Sequence, residues 1–298
     1  MRNEKSVIER YLKQDEEGLE RVARELKYLV RLINSSGGEY SLQLRDNYFN
    51  IYYQGNSLAK VIRNNNDTYS VLIHQEFVKD GLCEKLEEFS SNKPTVSRES
   101  GSKYINFKIK PQSMLQFFQR NNLNNLSGKI RQVHNGEEIT MEQVMITDNP
   151  PSPTFIIIDR QVADYIHWAR IDLLAVKRDS LQDRFHFIVI EVKLGRNPEL
   201  REKVGEQVNG YVDHIREYIL DYAKCYQENY RQKKNLGLFS SDMPGAIVIN
   251  TDPETVEGIV VSCGYSQLAE ANIEALKKTI GKNRWNIKVV QMPKLKLN

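Results

Sequence analysis

The sequence predicts an α/β fold in two parts, a smaller α+β domain with an antiparallel meander and a larger domain in which helices pack on a sheet. Two observations favour this fold. Short alternating apolar segments follow a long helical segment in the first part, and apolar strand-like runs are mixed with long helical segments in the second. We expect the first domain to span residues 1–110 and the second to span residues 111–298.

Composition limits the classes of protein to which the chain can belong. Its 298 residues are 40% hydrophobic and 27% charged, which is typical of a globular protein. No apolar run approaches the roughly 20 residues of a membrane helix, so no membrane partner is expected. The amino-terminal segment has no apolar secretory core, which predicts a cytoplasmic protein. The 3 cysteines include no C-x-x-C pair, which argues against a zinc ribbon.

The first domain is predicted from a change of apolar period. Residues 6–34 follow the three-and-four spacing of an amphipathic helix, which the glycines after residue 36 end. Helical spacing returns at residues 76–89, and the polar segment 90–102 is predicted to be a loop. Turn residues separate four short alternating segments, predicted as strands at 41–45, 48–53, 58–63 and 69–74.

The second domain is predicted to begin with helical segments at 112–133 and 140–145, which end at the prolines near residue 150. A long helix is then expected at 199–231 and another at 266–280. The apolar runs between and after these segments are predicted as strands at 154–162, 168–177, 185–194, 245–250, 258–263 and 286–291.

Three charged residues interrupt apolar strands in this second domain. The run from Phe187 to Ile190 predicts a strand covered on both faces, and Glu191 and Lys193 follow it. Because side chains alternate along a strand, these two point the same way. Asp172 is the lone acidic residue of the preceding strand and has apolar neighbours on both sides. If the two strands form a hairpin, Asp172 lies across from Glu191.

This arrangement predicts a divalent-metal phosphodiesterase site. Two neighbouring carboxylates repel each other unless a cation lies between them. Mg²⁺ or Mn²⁺ prefers oxygen ligands, here Asp172, Glu191 and the main-chain carbonyl of Val192. Such a metal activates a bound water, and Lys193 could orient that water or stabilise the transition state. A structural salt bridge between Asp172 and Lys193 would also satisfy the charges and is the alternative.

Residues 139–264 resemble the PD-(D/E)XK nuclease superfamily. The matching segments are RIDLL at 170–174, IEVKLG at 190–195 and QVNGY at 207–211. The last of these is similar to the Q-x-x-x-Y signature of RecB-like members. The resemblance implies a restriction-endonuclease-like core, an α-βββ-α-β mixed sheet, and Mg²⁺-dependent cleavage of DNA or in some members RNA.

By the same resemblance, Asp172 and Glu191 would be metal ligands and Lys193 the catalytic lysine. Gln207 and Tyr211 would line the site, since residues four apart share a helix face. The alternative for these two is the polar rim of an amphipathic helix. His214 could share that face and is interpreted as a surface histidine.

Many members of the superfamily carry a further glutamate on the first core helix. The candidates here are Glu137, Glu138 and Glu142, and none of them has a motif. We take Glu142 as a metal ligand, because it is best placed before the prolines. The superfamily also contains inactive members, so a protein that only binds nucleic acid or a protein partner is the alternative function.

The expected cofactor is therefore Mg²⁺ or Mn²⁺, and the expected partner is nucleic acid, DNA rather than RNA. The first domain would recognise a substrate, hold a partner or form a homodimer.

Overall fold

The computed structural model describes residues 6–99, 101–133, 136–166, 170–179, 181–264 and 266–292. The chain is a mixed α/β protein with one antiparallel sheet and one mixed sheet. Its α-helices are α1 Glu16–Asn34, α2 Leu82–Glu87, α3 Met114–Phe117, α4 Arg120–Val133, α5 Glu137–Asp148, α6 Glu199–Glu202, α7 Val204–Glu217, α8 Ile219–Asn235 and α9 Ser266–Asn283. Its strands are β1 Tyr40–Arg45, β2 Tyr48–Tyr53, β3 Asn56–Arg63, β4 Tyr69–His74, β5 Thr95–Glu99, β6 Ser102–Ile109, β7 Phe155–Val162, β8 Ile171–Asp179, β9 Arg184–Leu194, β10 Glu257–Cys263 and β11 Ile287–Gln291. Single 3₁₀ turns lie at Gln75–Val78, Pro111–Ser113 and Pro253–Thr255.

The chain divides into two compact units. The meander unit comprises Arg10–Gln143 and Arg231–Ser241, and the site unit comprises the chain up to Glu9, Val144–Tyr230 and the chain from Asp242 onwards. This division differs from the boundary predicted near residue 110. The difference arises because side chains of residues 114–130, among them Phe117 and Leu126, are buried in the same apolar core as the antiparallel sheet.

The sheet of the meander unit has the strand order β1-β2-β3-β4-β6-β5, and every neighbouring pair is antiparallel. Its first four strands are the predicted meander. The segment predicted as a loop at 90–102 contributes β5 and the start of β6. Most of β5 is exposed at the sheet edge. Its polar composition is that of a solvated edge strand, and this explains why the sequence suggested a loop.

The sheet of the site unit has the strand order β11-β10-β9-β8-β7. The pairs β7–β8 and β8–β9 are antiparallel, whereas β10 runs parallel to both β9 and β11. Residues 168 and 169, at the start of the strand predicted at 168–177, lie outside the described residues. Helix α7 packs closely on β10, since a Cβ added to Gly258 would lie 2.7 Å from Val208 Cγ1. A side chain at residue 258 would therefore push the helix away from the sheet.

Two predicted helices are shorter in the structure. The first begins only at Glu16, where the Asp15 side chain accepts the Gly18 amide as an N-cap. The long helix predicted at 199–231 is three helices, α6, α7 and α8, with non-helical backbone at Lys203 and Tyr218. Apolar periodicity continues across both breaks and therefore did not reveal them.

The strand predicted at 245–250 is wrong. Only an isolated bridge between Phe185 and Ile249 forms there. The Ile249 amide instead donates to Gln227 Oε1 at 2.9 Å. Ile247 and Ile249 are buried, as a strand would bury them. Val248 and Asn250 exchange backbone hydrogen bonds with Phe185 of β9, but among the described residues the pairing does not extend beyond this bridge.

No helix among the described residues has the length and apolar character needed to cross a lipid bilayer.

Candidate active site

The β8–β9 hairpin brings Asp172 and Glu191 to the same end of the sheet. The ladder runs from Asp179 opposite Arg184 to Leu173 opposite Ile190, and the same register continued by one residue places Asp172 opposite Glu191. At this point the Val192 amide donates to Asp172 Oδ2 at 2.9 Å. Because the N–H and C=O of a strand residue point to the same side, the Val192 carbonyl also faces β8.

Glu191 is a buried carboxyl group with one oxygen left unpartnered. The residue is 1% exposed, and its Oε1 accepts from Gln207 Nε2 at 2.8 Å. Its Oε2 is buried and has no hydrogen-bond partner among the described residues. Burial and the nearby charge of Asp172 raise the pKa of Glu191 to about 8, against the opposing effect of Lys193. A cation beside Oε2 would oppose this rise in pKa, because it stabilises the charged form of the carboxyl group.

Lys193 lies between two carboxylates. Its Nζ is 3.1 Å from Glu191 Oε1 and 3.5 Å from Glu199 Oε2, and its side chain is 11% exposed. Glu199 is the first residue of α6, and its side chain is 45% exposed. The ammonium group is therefore fixed at the strand end by one buried and one exposed partner, within reach of solvent.

Gln207 and Tyr211 lie side by side on α7, as their spacing predicts. The Gln207 amide donates both to Glu191 and to Tyr211 Oη, the latter at 2.9 Å. The Tyr211 hydroxyl donates to the Arg170 carbonyl at 3.3 Å, and burial raises the pKa of Tyr211. The hydroxyl therefore stays protonated near neutral pH and holds Gln207 against Glu191.

Glu142 is buried on α5 and belongs to the meander unit. Its role as a ligand stays a prediction. In the described part of the chain, no group of three or more His, Cys, Asp or Glu side chains is arranged to hold a metal ion. Asp172 and Glu191 therefore form a pair of acidic side chains rather than a cluster of three.

The sequence did not single out Ser262 on β10. Ser262 lies directly beside Lys193 in the register of the parallel β9–β10 pair, so the two side chains lie on the same face of the sheet. Its hydroxyl is buried and has no hydrogen-bond partner among the described residues. Ser262 is a polar residue that interrupts the apolar run Val260–Cys263. An isolated polar residue in an apolar strand is the signal that could have identified it, as it identified Asp172.

The interpretation of His214 as a surface histidine is wrong. Its side chain is 10% exposed and Nε2 contacts Asp164 Oδ2, which also accepts from Tyr222 Oη at 2.8 Å. His214 lies one helical turn beyond Tyr211 on α7. The buried polar face of α7 therefore extends from Gln207, which contacts Glu191, at least as far as His214.

We expect Gln207→Leu to lower the free energy of unfolding by about 1–3 kcal/mol, because the buried Glu191 carboxyl loses its amide donor. Urea unfolding of metal-free protein at pH 8.5 measures this. Tyr211→Phe is the matched control, since it keeps the bond from Gln207 to Glu191 and should cost about 1 kcal/mol. A larger loss in Tyr211→Phe than in Gln207→Leu would contradict the central position of Gln207.

Comparison of the chain with protein-family models, with curated proteins and with solved structures gave no match.

Proposed function

We propose that this chain is a metal-dependent nuclease that hydrolyses phosphodiester bonds, with DNA as its substrate. The observation that carries the proposal is the buried, unpartnered Oε2 of Glu191 beside a second carboxylate. A buried polar atom without a hydrogen-bond partner costs about 1–3 kcal/mol, so an oxygen left in this state favours a ligand that can bind it.

The residues at this strand end fit a hard divalent cation. Asp172 and Glu191 supply carboxylate oxygens, and the Val192 carbonyl faces the same side. Mg²⁺ and Mn²⁺ prefer such oxygen ligands and complete their coordination with water. When bound, the metal would supply a more acidic water and neutralise negative charge on a phosphate.

The side chains around this pair have separate roles in the proposal. Lys193 holds its ammonium group where it can donate to a water or to a phosphate oxygen, and its two carboxylate partners limit its movement. Gln207 fixes the orientation of Glu191 by donating to Oε1, which leaves Oε2 for the ion. Tyr211 in turn holds Gln207 and acts on the reaction through it.

The order of elements also supports the proposal. A helix, three antiparallel strands, a helical segment and a strand parallel to β9 follow one another from α5 to β10. This is the α-βββ-α-β order that the resemblance to PD-(D/E)XK nucleases implies. We therefore extend the proposal to a restriction-endonuclease-like core whose sheet is that of the site unit.

Incubation of the purified protein with labelled single-stranded DNA, duplex DNA and RNA tests the proposal. We expect cleavage of DNA with Mg²⁺ or Mn²⁺ and none with a chelator. An equal rate in chelator would exclude the metal, and absence of cleavage of all three substrates in either metal would contradict the nuclease function.

A protein that binds nucleic acid without cutting it is the second candidate. This candidate is favoured because the described residues supply two carboxylates to the site, whereas many superfamily members have a third carboxylate on the first core helix. Binding of DNA in both Mg²⁺ and Mn²⁺ without any cleavage would identify this case.

A further inference from the structure

Helix α1 of the meander unit has one apolar face and one cationic stripe. The apolar face, which includes Leu26 and Val30, is buried in the core of that unit. Arg24, Lys27 and Arg31 are three, four and seven residues apart, so they lie along one side of the helix, and all three are exposed. The stripe therefore faces away from the core and into solvent.

A groove runs beside this stripe, and we call it the α1 groove. Its cavity volume is about 380 Å³. Asn34 Nδ2 donates to the Gly237 carbonyl at 2.8 Å and joins the two walls of the groove. The lining consists of the three cations and of apolar and amide groups from α1, from the last residue of α8 and from the chain after it, namely Ala23, Arg24, Lys27, Val30, Arg31, Asn34, Asn235, Leu236 and Gly237.

The cations of the groove are almost free of acidic partners. Among the residues that the structure describes, Lys27 and Arg31 form no ion pair. Arg24 lies 3.9 Å from Glu20, and both side chains are more than two-thirds exposed, at 70% and 74%. An exposed pair at that distance contributes little and leaves the arginine available. The groove thus presents up to three positive charges to a ligand.

The spacing of the charges favours a chain of phosphates over a single one. From Arg24 to Arg31 the helix rises about 10 Å, at about 1.5 Å per residue. One strand of a nucleic acid presents about three phosphates over that length, at about 3.4 Å per charge along the duplex axis. Arginine binds phosphate through two parallel hydrogen bonds, and lysine binds it as a point charge.

We infer that the α1 groove binds the phosphodiester backbone of nucleic acid, with one phosphate at each of Arg24, Lys27 and Arg31. The choice of nucleic acid over an acidic protein segment rests on the regular spacing of the cations and on the proposed function of the site unit. DNA binding by the groove does not require a metal ion, so it can be measured in chelator, separately from cleavage.

The test is fluorescence anisotropy with a labelled duplex DNA in chelator, across salt concentrations from 50 to 200 mM. The variant Arg24→Ala/Lys27→Ala/Arg31→Ala keeps a good helix former at each exposed position. Loss of three phosphate contacts should reduce the salt slope of log K by about 2.7, at about 0.9 per contact. Raising the salt from 50 to 200 mM weakens binding by a certain factor, and this factor should be about 40-fold smaller for the variant than for the wild type.

A matched control removes three exposed cations from the same unit outside the groove, in the variant Lys93→Ala/Lys103→Ala/Lys110→Ala. We expect it to keep the wild-type slope, and circular dichroism should show that both triple variants are folded. The inference would be overturned if the two triple variants lost the same amount of salt slope, or if the wild type did not bind DNA. It would also be overturned if the groove variant lost affinity for poly-glutamate but not for DNA. DNA binding that depends on the groove, without cleavage in metal, would leave this inference standing and remove the proposed nuclease activity.

Discussion

Asp172→Asn is expected to abolish metal-dependent cleavage, with a loss of about 10³-fold or more. The amide removes a charged ligand, and a loss of about 4 kcal/mol of transition-state stabilisation corresponds to that factor. The fold should persist, because the asparagine carbonyl oxygen can still accept the Val192 amide in place of Asp172 Oδ2. Steady-state cleavage of labelled DNA in Mg²⁺, with thermal unfolding of the same sample, measures both effects.

Asp213→Asn is the matched control for this prediction, since Asp213 is an exposed aspartate on α7 of the same unit. It should cleave like the wild type. Lys193→Ala should be as inactive as Asp172→Asn if the ammonium group acts on the phosphate or its water. Full activity of Asp172→Asn would exclude this carboxylate as a ligand.

Glu191→Gln is expected to change how the stability of the metal-free protein depends on pH. The pKa of Glu191 is raised from its ordinary value of 4.5 to about 8 in the folded protein. The folded state therefore binds a proton that the unfolded state releases, so the wild type loses stability as pH rises from about 4.5 to about 8. The amide has no proton to lose, so the variant should lack this part of the decline.

Urea unfolding in chelator at pH 5.0, 6.5 and 8.5 measures the difference between the two proteins. The stability of Glu191→Gln relative to the wild type should rise with pH, by at most about 1.4 kcal/mol per pH unit. Glu206→Gln is a control on α7 that leaves the buried carboxyl in place and should follow the wild type. If the difference in free energy of unfolding between Glu191→Gln and the wild type were the same at all three pH values, burial would not raise the pKa of Glu191.

The centre of the site could be predicted because strand geometry is strict. Alternation placed Glu191 and Lys193 on one face, and the hairpin ladder ends one residue before Asp172 and Glu191, so its continuation places them opposite each other. Helical spacing likewise paired Gln207 with Tyr211, and the structure joins them by a hydrogen bond. These relations depend on local periods that the sequence displays directly.

The parts that the sequence did not reveal depend on contacts distant in the chain. Ser262 joins the site only because β10 pairs in parallel with β9, and no local pattern indicates that pairing. Strand β5 is polar because it lies at a sheet edge. Ile249 satisfies its amide with a side chain from α8 instead of a neighbouring strand. In each case a tertiary partner, rather than local propensity, decides the structure.

Calorimetric titration of Mn²⁺ into metal-free protein at pH 8 tests the central claim, that Asp172 and Glu191 hold one divalent cation. We predict a single saturable site in the wild type. In Asp172→Asn the affinity should fall by at least about 100-fold, since changes to groups that merely support a ligand already cost about 10–100-fold. Equal Mn²⁺ binding by the two proteins, or no binding by the wild type, would contradict the shared metal site.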